Sequence, residues 1–318
     1  MDSHNASSCA ITGTTGYIGG YLLRYLQARG MHIRELRRTA PGEVLPGNVV
    51  PFTLGQPVSP GVFDGVDTLI HCAYDFTVNR WEDIKRINVD GTLQLFEAAA
   101  TAGVKNMLFI STISSFSGCR SLYGKAKFLV EQAGERLGVR SIRPGLIFDN
   151  AEPGGMVGAL NSLITRTALI PLIGNGEQIL YPCHIDDLAH MMYVLCTSAD
   201  LAELPRVITA AAQTKLTFRE ILLRLASDKG KQIHFFPVPY NFVLFGLQAL
   251  ERMGVKSRLR GDSLISLLNQ NTQVDFSGLN MLEKQGCFFR PFLGQIGPGT
   301  DSHTILLERR VGGHDDVE

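Results

Sequence analysis

The first 150 residues alternate between two hydrophobic periods, one typical of buried strands and one typical of amphipathic helices. Short apolar runs predict strands at residues 8–11, 32–36, 49–52, 68–73, 106–111 and 139–143. Helical periodicity that ends at or near a glycine predicts helices at residues 17–29, 81–102 and 121–137. Because strands and helices alternate with short connections, we expect an α/β fold with a parallel sheet that binds ligands at the carboxyl ends of its strands.

The pattern is less regular after residue 150. It predicts helices at residues 154–169, 186–195, 218–226 and 242–253, and a strand at 207–209 that returns to the main sheet. We therefore expect residues 1–150 to form the sheet domain, with 182–212 returning to it. Residues 151–181 and 213–295 are expected to form a smaller, mostly helical lobe, and residues 296–318 a tail.

Composition narrows the classes of protein. Lys plus Arg and Asp plus Glu each number 30, so the zero net charge favours neither nucleic acid nor a membrane as partner. The six cysteines include no CxxC pair and no cluster with metal-ligand spacing, so we expect free thiols, no metal and a cytoplasmic location. The start of the chain lacks the apolar stretch of a signal peptide, and no run reaches the ~18 apolar residues of a bilayer span.

A glycine-rich loop follows the first predicted strand. Residues 12–19 read TGTTGYIG, in which Gly13, Gly16 and Gly19 have GxxGxxG spacing. Glycines at these positions allow a tight turn and let the backbone approach a pyrophosphate. The helix that begins near Tyr17 directs its N–H groups at the phosphates. The loop therefore predicts a dinucleotide site, which also includes Thr15 and Ile18.

The end of the second predicted strand indicates which dinucleotide binds. An acidic residue there would receive the ribose of NAD, whereas a cation would receive the 2′-phosphate of NADP. Arg37 and Arg38 stand at this point without an Asp or Glu beside them. A guanidinium group matches a phosphate, so NADP(H) is favoured and NAD(H) is the alternative. Two solvated surface arginines are the other interpretation.

A YxxxK motif occurs in the predicted helix 121–137. Tyr123 and Lys127 stand four positions apart, so their side chains share one face of the helix. A nearby cation lowers the pKa of a phenol from about 10, which would let Tyr123 exchange a proton near neutral pH. Lys127 is also a candidate to hold the nicotinamide ribose. Ordinary packing of a tyrosine at a helix start is the alternative.

Taken together, these motifs resemble the extended short-chain dehydrogenase/reductase group, the NAD-dependent epimerase/dehydratase family. Further stretches agree, over about residues 8–295: DGVDTLIHCA at 64–73, NVDGT at 88–92, RPGLI at 143–147 and HIDDL at 184–188. The resemblance implies a Rossmann doubly wound parallel sheet with a substrate lobe at its C-terminal side. It also implies cofactor contacts in or next to the first three of these four stretches, at Cys72, Ala73, Tyr74, Asn88, Pro144 and Ile147.

The resemblance further implies a catalytic hydroxyl shortly after the fifth strand. Thr112 aligns best with it, and Ser111 and Ser114 are the alternatives. The Asp-Glu pair of sugar 4,6-dehydratases is absent, because Ile113 and Ser114 occupy its positions. That dehydratase chemistry is therefore disfavoured. The short gap between Thr112 and Tyr123 also makes a nucleotide-sugar substrate less favoured.

Three functions compete at this point. The first is an oxidoreductase that moves a hydride between a nicotinamide and the carbonyl or alcohol carbon of a small molecule, with Tyr123 as acid or base. The second is an NAD-dependent epimerase of a sugar or nucleotide sugar. The third is a regulatory protein that binds NADP without catalysis, which the intact Tyr123 and Lys127 disfavour. Members of this family often form dimers, so a homodimer is among the partners that the resemblance implies.

Overall fold

The computed structural model describes residues 8–40, 42–151, 153–198, 201–240, 261–271 and 273–293. Its strands are β1 Ser8–Thr12, β2 His32–Arg37, β3 Val49–Pro51, β4 Thr68–His71, β5 Asn106–Ile110, β6 Arg140–Pro144, β7 Leu146–Phe148, β8 Leu169–Ile173, β9 Ile179–Leu180, β10 Pro182–His184, β11 Val207–Ala210, β12 Leu216–Thr217 and β13 His234–Val238. Seven of them form a parallel sheet in the order β3-β2-β1-β4-β5-β6-β11. The predicted Rossmann sheet is confirmed, and its strand order reverses between β1 and β4, where such sheets bind ligands.

The α-helices that the structure describes are α1 Tyr17–Gln27, α2 Trp81–Ile84, α3 Gly91–Thr101, α4 Leu122–Glu135, α5 Gly155–Arg166, α6 Ile185–Thr197, α7 Phe218–Asp228, α8 Gly261–Leu268 and α9 Ser277–Leu282. The single helix predicted at 81–102 is interrupted by a π-helical segment, Lys85–Asp90. No helix within the described ranges is both long and apolar enough to cross a bilayer.

Both faces of the sheet are covered by helices. Alternate side chains of β1 enter opposite cores, because successive residues of a strand point to opposite faces. Cys9 and Ile11 pack with apolar residues of α1 and α6, whereas Ala10 packs with those of α3 and α4. The two cores thus fix the relative positions of the carboxyl ends of the strands.

The lobe has its own core and more β-structure than the sequence pattern predicts. Phe148, Ile164, Ile170 and Leu222 are buried together there. Three strand pairs accompany its helices, namely β7 with β10, β8 with β13, and β9 with β12. The helix predicted at 154–169 ends at Arg166, and the chain then pairs with β13 as β8. Pairing between distant segments cannot be read from a local period, so these strands were missed.

Helix α9 belongs to the core of the main sheet, although the sequence pattern assigned its residues to the lobe. Leu279 and Leu282 are buried with residues of β1, α1 and α6. Cys287, just beyond α9, lies in the same core. The predicted helix at 242–253 and the tail at 296–318 lie outside the described residues.

Candidate active site

A cavity of about 1410 Å³ opens at the carboxyl ends of the central strands, with walls from both the sheet and the lobe. Most of the residues that the sequence singled out line it: Gly13, Thr15, Gly16, Tyr17, Ile18, Gly19, Arg37, Arg38, Cys72, Ala73, Tyr74, Ser111, Thr112, Tyr123, Pro144 and Ile147. Asn88 and Lys127 do not line it. Residues from five different strand ends thus meet at one cavity.

The glycine loop connects β1 to α1 with a tight turn. Gly13 has φ +74°, a conformation that favours glycine, and a side-chain carbon there would lie 2.8 Å from the amide nitrogen of Ala73. The amide of Gly16 donates to the carbonyl oxygen of Gly13 at 2.9 Å. Gly16 caps α1 without a side-chain hydrogen bond, and the first N–H groups of a helix have no partner within it. These N–H groups therefore border the cavity as donors for an anion.

A buried hydrogen-bond chain holds the turn after β4. Thr92 Oγ1 donates to the carbonyl four residues earlier at 2.8 Å, so it accepts from Nε2 of His71 at 3.0 Å. Nδ1 of His71 then accepts from Thr12 Oγ1 at 2.8 Å. The same Thr12 oxygen accepts from the amides of Cys72 and Ala73 at 3.1 and 3.2 Å. Burial lowers the pKa of His71 well below its usual value, which agrees with this neutral form.

Asn88 supports this turn from behind. Its Oδ1 accepts from the amide of Asp75 at 2.6 Å, and its Nδ2 donates to the carbonyl oxygen of Asp75 at 3.1 Å. The side chain is 3% exposed and does not border the cavity. Asn88 therefore positions the turn that carries Cys72, Ala73 and Tyr74, and its direct contact with a cofactor stays a prediction.

The two arginines at the end of β2 have different surroundings. Arg37 donates to a carboxylate oxygen of Glu43 at 2.7 Å, and the second oxygen of Glu43 accepts from the amide of Ala40 at 2.9 Å. Arg38 is exposed, and no ion pair to it is found among the described residues. No acid stands next to these arginines in the sequence, but the folded loop brings Glu43 to Arg37. Arg38 is consequently the guanidinium that remains available for a ligand at this edge.

Tyr123 lies in the first turn of α4. Ser121 caps this helix by accepting from the amide of Gly124 at 3.1 Å. The amides of Leu122 and Tyr123 donate instead to the carboxylate of Asp262 on α8, at 2.7 and 2.9 Å. All three free N–H groups of the first turn thus have acceptors. The phenol ring lies among aromatic neighbours, with its centroid 4.9 Å from that of the Tyr74 ring.

Lys127 lies behind Tyr123 in the core. Its ammonium group donates to the carbonyl oxygen of Ile110 at 2.7 Å and lies 5.7 Å from the centroid of the Tyr123 ring. Burial lowers the pKa of Lys127 to about 7. The pKa of Tyr123 is raised, first by loss of solvation and second by the charge of Asp262. The expectation of a lowered pKa for Tyr123 is therefore wrong for this arrangement, because burial and the charge of Asp262 raise it and Lys127 is not among the causes of the shift.

Three hydroxyl-bearing residues after β5 line the same cavity as Tyr123, namely Ser111, Thr112 and Ser114. Thr112 Oγ1 accepts from the amide of Ser114 at 3.2 Å, which leaves its own proton free to donate. Ser111 Oγ is buried and has no hydrogen-bond partner among the described residues. The structure thus brings all three candidate hydroxyls to the cavity wall, and none of them is singled out by its contacts.

Asp262 and Glu43 are the two residues that sequence reasoning missed. Asp262 stands 139 residues from Tyr123, within the irregular second half, so no local motif connects them. Glu43 is six residues beyond Arg37, and only the loop after β2 brings the two together. The sequence does contain a hint of the Glu43 contact, because an acidic residue a few positions after a strand can fold back onto a cation at the end of that strand.

The cavity suits a nicotinamide dinucleotide. It offers the N–H groups at the start of α1, a guanidinium at the end of β2 and the buried hydroxyl of Ser111, for which the described residues supply no hydrogen-bond partner. Pro144 and Ile147 line it from the end of β6 and from β7. The arrangement is that of an oxidoreductase that binds a nicotinamide dinucleotide.

The chain belongs to the NAD dependent epimerase/dehydratase family, whose model matches residues 9–211. The family resemblance drawn from the sequence is thus confirmed. A ceramide reductase of Caulobacter vibrioides is 27% identical over 237 residues, which cover 72% of this chain and 73% of that protein. The bovine sterol-4-alpha-carboxylate 3-dehydrogenase, decarboxylating, is 24% identical over 272 residues, covering 75% of this chain and 74% of that protein. These relatives are enzymes, and none of them supports the non-catalytic alternative.

Solved structures of the same fold agree. The UDP-glucose 4-epimerase of Thermotoga maritima superposes with a TM-score of 0.61 at 19% identity, covering 73% of this chain and 85% of that chain. MoeE5, solved with UDP-glucuronic acid and NAD, gives a TM-score of 0.61 at 17% identity, covering 83% of this chain and 97% of that chain. At such identities the likeness establishes the fold and not the substrate.

Proposed function

We propose that this protein is an NADP(H)-dependent reductase or dehydrogenase that acts on a carbonyl or alcohol carbon of an apolar substrate. The observation that carries the cofactor preference is Arg38, a guanidinium at the end of β2 that lines the cavity and has no ion-pair partner in the described part of the chain. A planar cation suits a 2′-phosphate. Arg37 stands beside it but is held by Glu43.

The lobe side of the cavity supports an apolar substrate. Its wall includes Met156, Leu180, Ile265 and Leu267, and the sheet side adds Phe76 and Val78. Within the described ranges, the lobe contributes no Lys, Arg or His to this lining. A nucleotide sugar carries a diphosphate, which proteins usually meet with cations or helix N-termini. The two curated relatives described above, whose names contain ceramide and sterol, point to the same class of apolar substrate.

The residues around Tyr123 suit reduction of a carbonyl group. When bound, the nicotinamide would supply or accept the hydride. Tyr123 has a raised pKa, so its phenol is protonated at neutral pH and can donate to the oxygen of the substrate. Thr112 keeps a free hydroxyl proton and would hydrogen-bond that oxygen. Lys127, whose pKa burial lowers to about 7, links α4 to the end of β5 through its hydrogen bond to Ile110.

The cofactor proposal is tested by releasing any bound nucleotide with denaturant, identifying it by mass spectrometry, and titrating the emptied protein with NADPH and NADH. We expect little bound nucleotide and tighter binding of NADPH. Stoichiometric bound NAD would favour an epimerase that recycles its cofactor and would contradict the role given to Arg38. Binding of neither nucleotide would refute the proposed function.

The catalytic proposal is tested by Tyr123→Phe in an NADPH-oxidation assay against long-chain and polycyclic ketones. We expect turnover to fall by roughly 10²-fold or more, with the Kd of NADPH unchanged, because only the transferable proton is removed. Tyr193→Phe on α6, outside the cavity, serves as the matched control. Full activity of Tyr123→Phe would show that another group donates the proton.

The proposal also includes a cytoplasmic location, which the six free thiols support.

A further inference from the structure

Asp262 joins the lobe to the catalytic helix. Its two carboxylate oxygens accept separately from consecutive backbone amides, Oδ1 from Leu122 at 2.7 Å and Oδ2 from Tyr123 at 2.9 Å. A carboxylate that accepts from the free N–H groups of a helix start is also favoured by the positive end of the helix dipole. These two hydrogen bonds are therefore charge-assisted, and one of them holds the backbone amide of Tyr123 itself.

A second contact at the other end of α8 reinforces the first. Oδ1 of Asn269, one residue beyond α8, accepts from the amide of Arg120 at 2.8 Å. The eight-residue helix Gly261–Leu268 thus meets the segment before and at the start of α4 at two points. Between these points α8 presents Ile265 and Ser266 to the cavity.

We propose that Asp262 is a positioning residue, which fixes the backbone of Tyr123 and sets the distance between the phenol and the substrate wall formed by α8. Ser121 already satisfies the amide of Gly124, so without Asp262 the two preceding amides would lose their acceptor. Because Tyr123 and Ile265 line one cavity, a shift of either element changes the place where a substrate carbonyl meets the phenol. The inference rests on the proposed function for its catalytic part, but the structural contact stands apart from it.

The first test compares amide hydrogen exchange in the cofactor-free protein. Asp262→Ala should speed exchange in a peptide spanning residues 120–126 by roughly tenfold or more, because two charge-assisted hydrogen bonds are lost. Asp275→Ala is the matched control, since Asp275 also accepts from a helix-start amide, that of Ser277 at 2.8 Å, but lies outside the cavity. Unchanged exchange at 120–126 in Asp262→Ala would overturn the inference. This measurement needs neither cofactor nor substrate, so it remains decisive even if the proposed function fails.

The second test separates positioning from general support of the fold. In Asp262→Ala we expect kcat to fall roughly tenfold or more, with the Kd of NADPH unchanged within about twofold, because the glycine loop and Arg38 do not contact Asp262. Asp262→Asn should recover part of kcat, since its amide oxygen can accept from one of the two N–H groups. Accelerated exchange with an unchanged kcat would show a purely structural role and would overturn the inference.

Discussion

The ammonium group of Lys127 donates a hydrogen bond to the carbonyl oxygen of Ile110 at 2.7 Å, and only 3% of the residue's surface is exposed. Burial lowers its pKa from 10.5 to about 7 in the folded state, although Cys72 and Glu131 oppose that shift. The unfolded chain therefore binds more protons than the folded one between these two values. The free energy of unfolding therefore rises as the pH increases from about 7 towards 10.5. Below pH 7 Lys127 is protonated in both states, so the full cost of burying its charge reduces the stability of the fold.

This relation predicts a difference between wild type and Lys127→Met in urea unfolding. From pH 7 upwards, the free energy of unfolding of wild type should rise relative to that of the variant by up to about 1.4 kcal/mol per pH unit. Lys125→Met, at an exposed position two residues away, is the matched control. A difference that stays constant from pH 6 to pH 9 would contradict the lowered pKa.

Arg38→Ala should weaken NADPH binding by about tenfold or more and leave NADH binding unchanged, because the lost contact is to the 2′-phosphate alone. Arg37→Ala should have the smaller effect, since Arg37 is already paired with Glu43 at 2.7 Å. Fluorescence titration with both nucleotides provides the measurement. An equal loss for NADPH and NADH would show that Arg38 does not read the phosphate.

Glu43→Gln should tighten NADPH binding. Removal of the carboxylate charge frees Arg37 and removes a repulsive group from the edge where a 2′-phosphate would lie. The effect on NADPH should diminish in high salt, because both side chains are partly exposed to solvent. The ratio of Kd for NADH to Kd for NADPH, measured at low and high salt, is the readout. A weaker affinity for NADPH would mean that Glu43 is needed to hold Arg37 in place.

Thr112→Val should lower kcat by about tenfold or more, because it removes a hydroxyl while keeping the shape of the side chain. Its free proton is the donor that we assign to the substrate oxygen. Ser111→Ala and Ser114→Ala are the comparisons in the same assay. If Ser111→Ala has the larger effect, its buried unpartnered hydroxyl is the catalytic one.

Gly13→Ala should destabilise the protein more than Gly103→Ala. Both glycines have positive φ, +74° and +80°, so both variants incur backbone strain of about 1–2 kcal/mol. Only Gly13 would also bring a side-chain carbon to 2.8 Å from the amide of Ala73, whereas nothing lies within 4 Å at Gly103. Denaturant titration and NADPH binding should both distinguish the variants. Equal losses would show that the glycine turn has room for a side chain.

The central sheet was predictable because its evidence is local. Each strand is a short apolar run and each helix ends near a glycine, so β1 to β6 could be assigned in order. The strand pairs of the lobe could not, since β8 pairs with β13 across some 60 residues and their sequences show no alternation. The burial of α9 against β11 was missed for the same reason.

The residues of the site were predictable where several of them lie close together in one sequence motif, on a single loop or helix. The glycine loop and the YxxxK spacing placed Gly13, Gly19 and Tyr123 at the cavity. The pKa values and ion pairs of these residues were predicted less well, because they depend on charged side chains from other segments of the chain. Burial and the charge of Asp262 raise the pKa of Tyr123, and Glu43 forms an ion pair with Arg37, yet Asp262 and Glu43 both lie outside the motifs.

The burial of α9 has a consequence for how the chain folds. Leu279, Leu282 and Cys287 complete a core that begins with Cys9 and Leu22, so the first strand and one of the last described helices share the same buried surface. The first 150 residues alone would leave that surface open to water. We therefore expect the nucleotide-binding half to reach its full stability only when a segment about 270 residues from its first strand has docked, so that the two ends unfold together.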